Sequence, residues 1–509
     1  MLSGRDGPLK RFGGRGFLSA LATALVFAAC GEPVDQTLDR APFEAAPRDS
    51  AGSDLSQSPI EATSASAAPS DSGVLLPESS ALQVGDDSLD PMVSELGPFL
   101  LGDGSPRPVF RRPDAIRGVY LNAWNAGSTA RVGDMIELAR ETEINSFVID
   151  IKDATGFVSF ASAIPEVDSI GALDELRIRD LPGLLRRLEA DSIWPIARIV
   201  IVKDPLLIEA RPELAVQDTA GGVWVDSKGF VWLNPYNRGM WDYHVALARE
   251  VASMGFPEIQ WDYVRFPDAS QSDLARAEFP GDSLGERREA IRAFLGYARD
   301  ELAELGMDVR MTADVFGLTT SVRRDEGIGQ VWESFIDQVD AALPMIYPSH
   351  YGRGNFGLQD PNAHPYEVVR HALRDAVERS EAVDGSGAII PWLQDFTLGA
   401  PRYEAPEVRA QIQAAYDAGV FEWVLWNPGS RYTREALEPV GGFIDEPMVR
   451  VGGQVVPVSQ RYRVLGEVDP GTVVVPPGGG GDDALPAVPD SAAADSIGGG
   501  GRGRGSVVP

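Results

Sequence analysis

Eight short runs of apolar and aromatic residues punctuate the chain between residues 117 and 429, and most of them turn polar at their carboxyl ends. They are RGVYLN (117–122), SFVIDIKD (146–153), WPIARIVIVKD (194–204), IQWDYVRFPD (259–268), VRMTADVFG (309–317), AALPMIYPSHY (341–351), AIIPWLQDF (388–396) and EWVLWNPG (422–429). Runs this short and this apolar read as strands buried on both faces, the pattern of a parallel sheet. Most are separated by stretches with helical spacing. Val132, Met135, Ile136 and Ala139 share one face, as do Ile291, Phe294, Leu295, Ala298, Leu302 and Leu305. Val369, Ala372, Leu373 and Ala376 repeat the pattern, and so do Val408, Ile412, Ala415 and Tyr416. Pro406 and Gly419 punctuate the last of these helices, and Gly306 is placed to stop the second. The weakest helical unit is GQVWESFIDQV (329–339). Eight alternating units predict an α/β protein built as a (β/α)8 TIM barrel over residues 109–445.

Parity along each strand then separates core from site, because the inward face of a barrel strand is free to turn polar near its carboxyl end. Gln260 and Asp262 share one parity on the fourth strand, Arg310, Thr312 and Asp314 on the fifth, and Asp150 and Lys152 on the second. Asp262 and Asp314 therefore present two carboxyl groups at neighbouring strand ends. A glycosidase needs such a pair, one to protonate the leaving oxygen and one to attack or to activate water. Adjacency of the strands predicts a separation of roughly 5 to 6 Å, close to that of retaining enzymes. Each carboxylate alone reads equally well as half of an internal ion pair, Asp262 with Arg265 and Asp314 with Lys152 or Arg310. Candidate substrate contacts at the other strand ends are Trp124, Asp150, Lys152, Arg198, Lys203, Arg265, Tyr347, His350, Gln394, Trp426 and Asn427. Trp124, Trp392 and Trp426 have rings that stack on sugars as readily as they fill a core. An insertion, ARPELAVQDTAGGVWVDSKGFVWLNPYNRG (210–239), reads as a hairpin that lays Trp224, Trp232 and Tyr236 over the mouth.

Composition narrows the partners. Lys and Arg total 45 against 75 Asp and Glu, a formal charge of -30, so nucleic acid is disfavoured as a ligand and neutral or cationic ligands suit the surface better. With four His and a single Cys, no cluster has metal spacing, and no phosphate loop, dinucleotide fingerprint or serine elbow sits between a strand and a helix; neither metal nor cofactor is expected. The first thirty residues place Arg5, Lys10, Arg11 and Arg15 before the apolar run 17–29 and Cys30, the layout of a signal peptide with a lipobox. The expectation is an exported bacterial lipoprotein, lipidated at Cys30 and held in the cell envelope, at the outer membrane where there are two. Residues 31–108 read as a disordered linker rich in Ser, Ala, Pro and acid, residues 446–475 as a short β appendage, and residues 476–509 as a disordered Gly-rich tail.

Taken together, RGVYLNAWNAGS, FVIDIKDATG, WPIARIVIVKDP with VWVDSKGFVWLNPYN, IQWDYVRFPD, TADVFG, PMIYPSHY and VLWNPGS resemble a bacterial family of uncharacterised putative glycosyl hydrolase domains. That family is distantly similar to alpha-amylase-like and alpha-galactosidase-like barrels. The resemblance spans about residues 113–440 in order. It implies a TIM barrel with hydrolase ancestry and names no substrate. In the amylase-like relatives the nucleophile is an Asp ending the fourth strand, which maps onto Asp262; their fifth-strand acid is Glu, where this chain has Asp314. Two readings follow, a glycoside hydrolase acting on an envelope or extracellular saccharide, or a lipid-anchored barrel that binds carbohydrate without turnover.

Overall fold

The computed structural model describes residues 106–281 and 284–470. The signal segment with Cys30, nearly all of the linker and the Gly-rich tail lie outside the described residues. Eight parallel strands close into a barrel: β1 Arg117–Leu121, β2 Ser146–Lys152, β3 Trp194–Val200, β4 Glu258–Asp262, β5 Arg310–Phe316, β6 Ala341–Ile346, β7 Trp392–Gln394 and β8 Trp423–Trp426. Each pairs with its neighbours in sequence, β8 returns to β1, and β7 pairs with β6 to shut the ring. The two-residue strand Ala388–Ile389 also pairs with β6, outside the ring of eight.

Helices fill the returns: α1 Thr129–Glu141, α2 Leu181–Ala190, α3 Arg238–Met254, α4 Arg287–Ala303, α5 Trp332–Phe335, α6 Pro365–Glu381 and α7 Ala405–Asp417. The apolar faces expected from spacing are the buried ones on α1, α4, α6 and α7, although Leu305 lies beyond the end of α4 and Tyr416 is only half-buried. Ends follow local chemistry. Asn237 caps α3 by accepting from the Gly239 N–H, and Gly255, at φ +120, stops it where a side chain would strain the backbone. A reciprocal pair, Glu404 with Glu407, caps α7. α5 is a single turn continued by the 3-10 turn Ile336–Gln338, as short as its sequence is weak.

The alternation of side chains yields two apolar layers. The larger lies between strands and helices; the smaller fills the barrel interior with Tyr120, Val148, Trp194, Ile196, Leu343, Trp392 and Val424. Above this inner layer the inward positions turn polar at Asp150, Arg198, Asp262 and Asp314, which puts the chemistry at the carboxyl ends of the strands. After β8 the chain forms an antiparallel hairpin, β9 Met448–Val451 and β10 Gln454–Pro457, and the short helix Arg461–Leu465. Val449 and Val451 are buried, and ion pairs of Arg450 with Glu407 (2.6 Å) and Arg461 with Asp417 (2.5 Å) fasten this segment to α7.

Candidate active site

The centre of the site is a guanidinium. Arg198, on β3, is buried and lies between carboxyl groups from three strands. Its Nε is 3.0 Å from Asp262 Oδ2, its Nη2 also contacts that oxygen, its Nη1 pairs with Asp150 Oδ1, and Asp314 Oδ2 is 3.8 Å from Nε. Burial alone disfavours the Arg198 charge, but Asp262 and Asp150 outweigh it and hold its pKa well above the usual value. Both Oδ2 atoms face the same Nε, so the two oxygens are no further apart than the sum of 3.0 and 3.8 Å, about 6.8 Å.

The two carboxyl groups sit in different company. Asp262 ends β4, and its Oδ1 accepts from the N–H of Tyr263 at 2.6 Å. Tyr263 adopts φ +56, a left-handed backbone that costs an aromatic residue about 1–3 kcal/mol and turns the chain sharply out of the strand. Asp314 Oδ1 accepts from Gln260 Nε2 at 2.7 Å and from Trp392 Nε1 at 2.6 Å, whereas its buried Oδ2 has no hydrogen-bond partner among the described residues. Asp314 is 1% exposed, and burial, reinforced by the charge of Asp262, pushes its pKa well above the carboxylate range. Asp314 therefore retains its proton to higher pH than an ordinary aspartate does. Since Oδ1 is occupied by two N–H donors, that proton belongs on Oδ2.

Asp150 is also driven upward by burial; it accepts a hydrogen bond from the Tyr120 hydroxyl. Aromatic rings wall the site. Tyr120 stacks on Trp426 at 4.1 Å, Trp392 meets Trp426 edge-on at 5.4 Å, and the Arg198 guanidinium lies 5.3 Å from the Trp426 ring. The pocket, open to solvent, is lined by Asp262, Asp314, Arg198, Arg265, Tyr347 and Trp426 together with Tyr263, Phe316, Met345 and Trp392.

The remaining expected contacts, Arg265 apart, stand outside that lining. Lys152 is fully buried outside the interior, ion-paired with Asp204 at 3.0 Å and donating to the Val200 carbonyl at 2.8 Å. A register shift between Asp150 and Lys152 in the β2–β3 pairing breaks the parity they share in sequence, so only Asp150 faces inward. Arg265 pairs with Asp268 (2.8 Å) and not with Asp262, and Arg310 approaches Glu258 (3.8 Å). Gln394 is buried, accepting from Ser349 N and Oγ and donating to the Phe396 carbonyl; Asn427 donates to the Asp395 carbonyl and accepts from Gly429 N–H. These two amides brace loops. His350 is half-buried beside Tyr347 and Phe396, and burial brings its pKa down to about 4. Trp124 is 61% exposed, with the Arg177 guanidinium 5.4 Å from its ring. Lys203 lies behind Tyr263, against Phe230 and Trp232.

The insertion after β3 is hairpin-like, with antiparallel bridges at Ala215–Leu233, Gln217–Val223 and Val225–Val231. Its tryptophans are not spread over the mouth as ligand contacts. Trp224 and Trp232 are 0% and 1% exposed, their indoles donating to the Asp273 carbonyl and to Asp226 Oδ2. Tyr120 and Gln260 were absent from the expected site. Inward parity on β1 and β4 was their one signal. Among the described residues no group of three or more His, Cys, Asp or Glu is placed to hold a metal.

A family model described as a putative glycosyl hydrolase domain matches residues 118–432. Among curated proteins none matches. Among solved structures, a hypothetical protein from Ruminiclostridium thermocellum ATCC 27405 is 39% identical over 39% of this chain and 97% of that one, with TM-score 0.35. The spore cortex-lytic enzyme SleL of Bacillus megaterium QM B1551 is 13% identical over 65% of this chain and 74% of its own, with TM-score 0.38. The beta-galactosidase of the psychrophilic Marinomonas ef1 is 14% identical over 63% and 58%, with TM-score 0.44.

Proposed function

Because the chain belongs to the family of putative glycosyl hydrolase domains, we propose that it hydrolyses glycosidic bonds, with Asp314 as general acid and Asp262 as nucleophile. The observation that carries this reading is the Oδ2 of Asp314, which has no hydrogen bond among the described residues, on a carboxyl pushed upward by burial, within about 6.8 Å of the ion-paired Asp262 Oδ2. Such spacing favours the retaining route, in which the carboxyls stand about 5–5.5 Å apart. An Asp262 oxygen bonds to the anomeric carbon as the glycosidic C–O bond breaks, and the Asp314 proton passes to the departing oxygen. Asp314, now a carboxylate, takes a proton from water, whose oxygen displaces Asp262 and frees the sugar. The negative charge appearing on Asp314 develops 3.8 Å from Arg198 Nε, which stabilises it without moving. Trp426, half-buried in the pocket lining, supplies a ring against which a sugar packs.

The test is a screen of the purified protein on bacterial polysaccharides, repeated with Asp262→Asn, which should abolish turnover and leave binding. Full activity of that variant on an identified substrate would remove the assignment. One observation favours a binding barrel without turnover: two Arg198 nitrogens engage Asp262 Oδ2, and an oxygen so held is a weaker nucleophile. Saccharide binding with no hydrolysis across the panel would establish that reading. The protein is proposed to act in the cell envelope on a lipid anchor at Cys30. Cys30→Ser should release it from membrane fractions or leave an uncleaved precursor, and unchanged fractionation and maturation would refute the anchor.

A further inference from the structure

Lys203 is a cation without a counter-charge in contact. It is 8% exposed, and among the described residues its ammonium has neither a hydrogen bond nor a carboxylate within ion-pair distance; instead it lies 3.8 Å from the Phe230 ring centre, 4.2 Å from Trp232 and 5.7 Å from Tyr263. The two nearest acids that act on it are engaged elsewhere. Asp226 accepts from Lys228 N, Phe230 N and Trp232 Nε1, and Asp268 pairs with Arg265. Burial first, and the neighbouring Arg265 second, bring the Lys203 pKa down to about 8. Arg265 lines the pocket and shares its aromatic neighbours, with its guanidinium 5.2 Å from Trp232 and 4.8 Å from Tyr263. Arg265 thus stands in the pocket lining with Lys203 behind the Tyr263 ring, and the acids beside them, Asp268 and Asp226, are already engaged. An ammonium largely withdrawn from water with no carboxylate in contact is costly to keep charged, and an anion arriving with the ligand offsets that cost.

We infer that the saccharide bound here carries an anionic substituent, a carboxylate or a sulfate ester, which Lys203 and Arg265 receive together. This inference rests on the pocket being a saccharide site. It does not depend on turnover, so a binding measurement separates its failure from failure of the hydrolase mechanism.

The chain has four lysines, Lys10, Lys152, Lys203 and Lys228, so selective isotope labelling of lysine side chains yields at most four signals, and Lys203→Arg assigns the one from Lys203. The titration uses D-glucuronate, D-glucose and inorganic sulfate as probes. The Lys203 signal should shift with D-glucuronate, or with sulfate if the natural group is a sulfate ester, while glucose leaves it in place; its titration midpoint should move upward from about 8. Arg265→Gln should weaken the response roughly ten- to a hundredfold, with an unmoved Lys152 signal reporting that the fold is intact. A Lys203 signal indifferent to both anions, or equally responsive to glucose, overturns the inference.

Discussion

Asp314 and Asp395 are both carboxyl groups that burial pushes upward, and the consequence differs because only Asp314 lines the pocket. Activity should depend on protonated Asp314, so kcat/KM should fall as pH rises through its elevated pKa, and Asp314→Asn should remove that limb. On substrates with poor leaving groups the same variant should lose about 10²–10⁴ in kcat, and far less on activated aryl glycosides, since only the former need the proton. Asp395 receives hydrogen bonds from Thr433 N and Oγ1, yet burial still carries its pKa to about 6. The folded state then holds more protons than the unfolded chain between about pH 3.9 and 6, so stability falls as pH rises through that window, by about 2–3 kcal/mol. Denaturant unfolding of the parent and of Asp395→Asn across this range measures the effect. An identical pH slope in both would assign it to other groups.

Within single elements, the ion pair at the end of β2 and the packed insertion after β3 are where substitutions should cost most. Lys152→Met strands Asp204 in the apolar layer and should destabilise by about 3–5 kcal/mol, read as a lower melting temperature with the pocket otherwise retained. Trp224→Ala and Trp232→Ala should each cost about 3–5 kcal/mol, as large cavities do. A loss of saccharide affinity without a lower melting temperature would restore their role as ligand contacts. These same elements show where the sequence was readable. Strict alternation on β4 and β5 put Asp262 and Asp314 on the inward face, as it did Thr312 and Gln260, and spacing of 3.6 recovered the buried faces of α1, α4, α6 and α7. Alternation misled on β2, because a register shift there turns Lys152 outward and leaves no mark in composition. It could not show that Arg198 ties three acids together, because that contact joins residues 48, 64 and 116 positions apart along the chain. Nor could the aromatic insertion be told from a lid, since buried and exposed tryptophans look alike in a loop.

For the whole molecule, the hairpin β9–β10 closes the side of the barrel formed by α6 and α7, where Glu367 and Glu407 receive Gly452 N–H and Arg450. Truncation before Met448 should expose the seat of Val449 and Val451 and lower the melting temperature, while leaving saccharide binding in the pocket unchanged. Calorimetry and ligand titration on the shortened chain check both halves of that statement, and a loss of binding would show that the appendage supports the site. The hydrogen bond from Trp392 to Asp314 also reaches from β7 to β5 past the strand between them. An indole bonded to an ionisable carboxyl changes its emission when that carboxyl loses its proton. The barrel thus contains an optical reporter of its own acid. The fluorescence difference between the parent and Trp392→Phe, followed against pH, should trace the charge of Asp314 in the absence of any substrate.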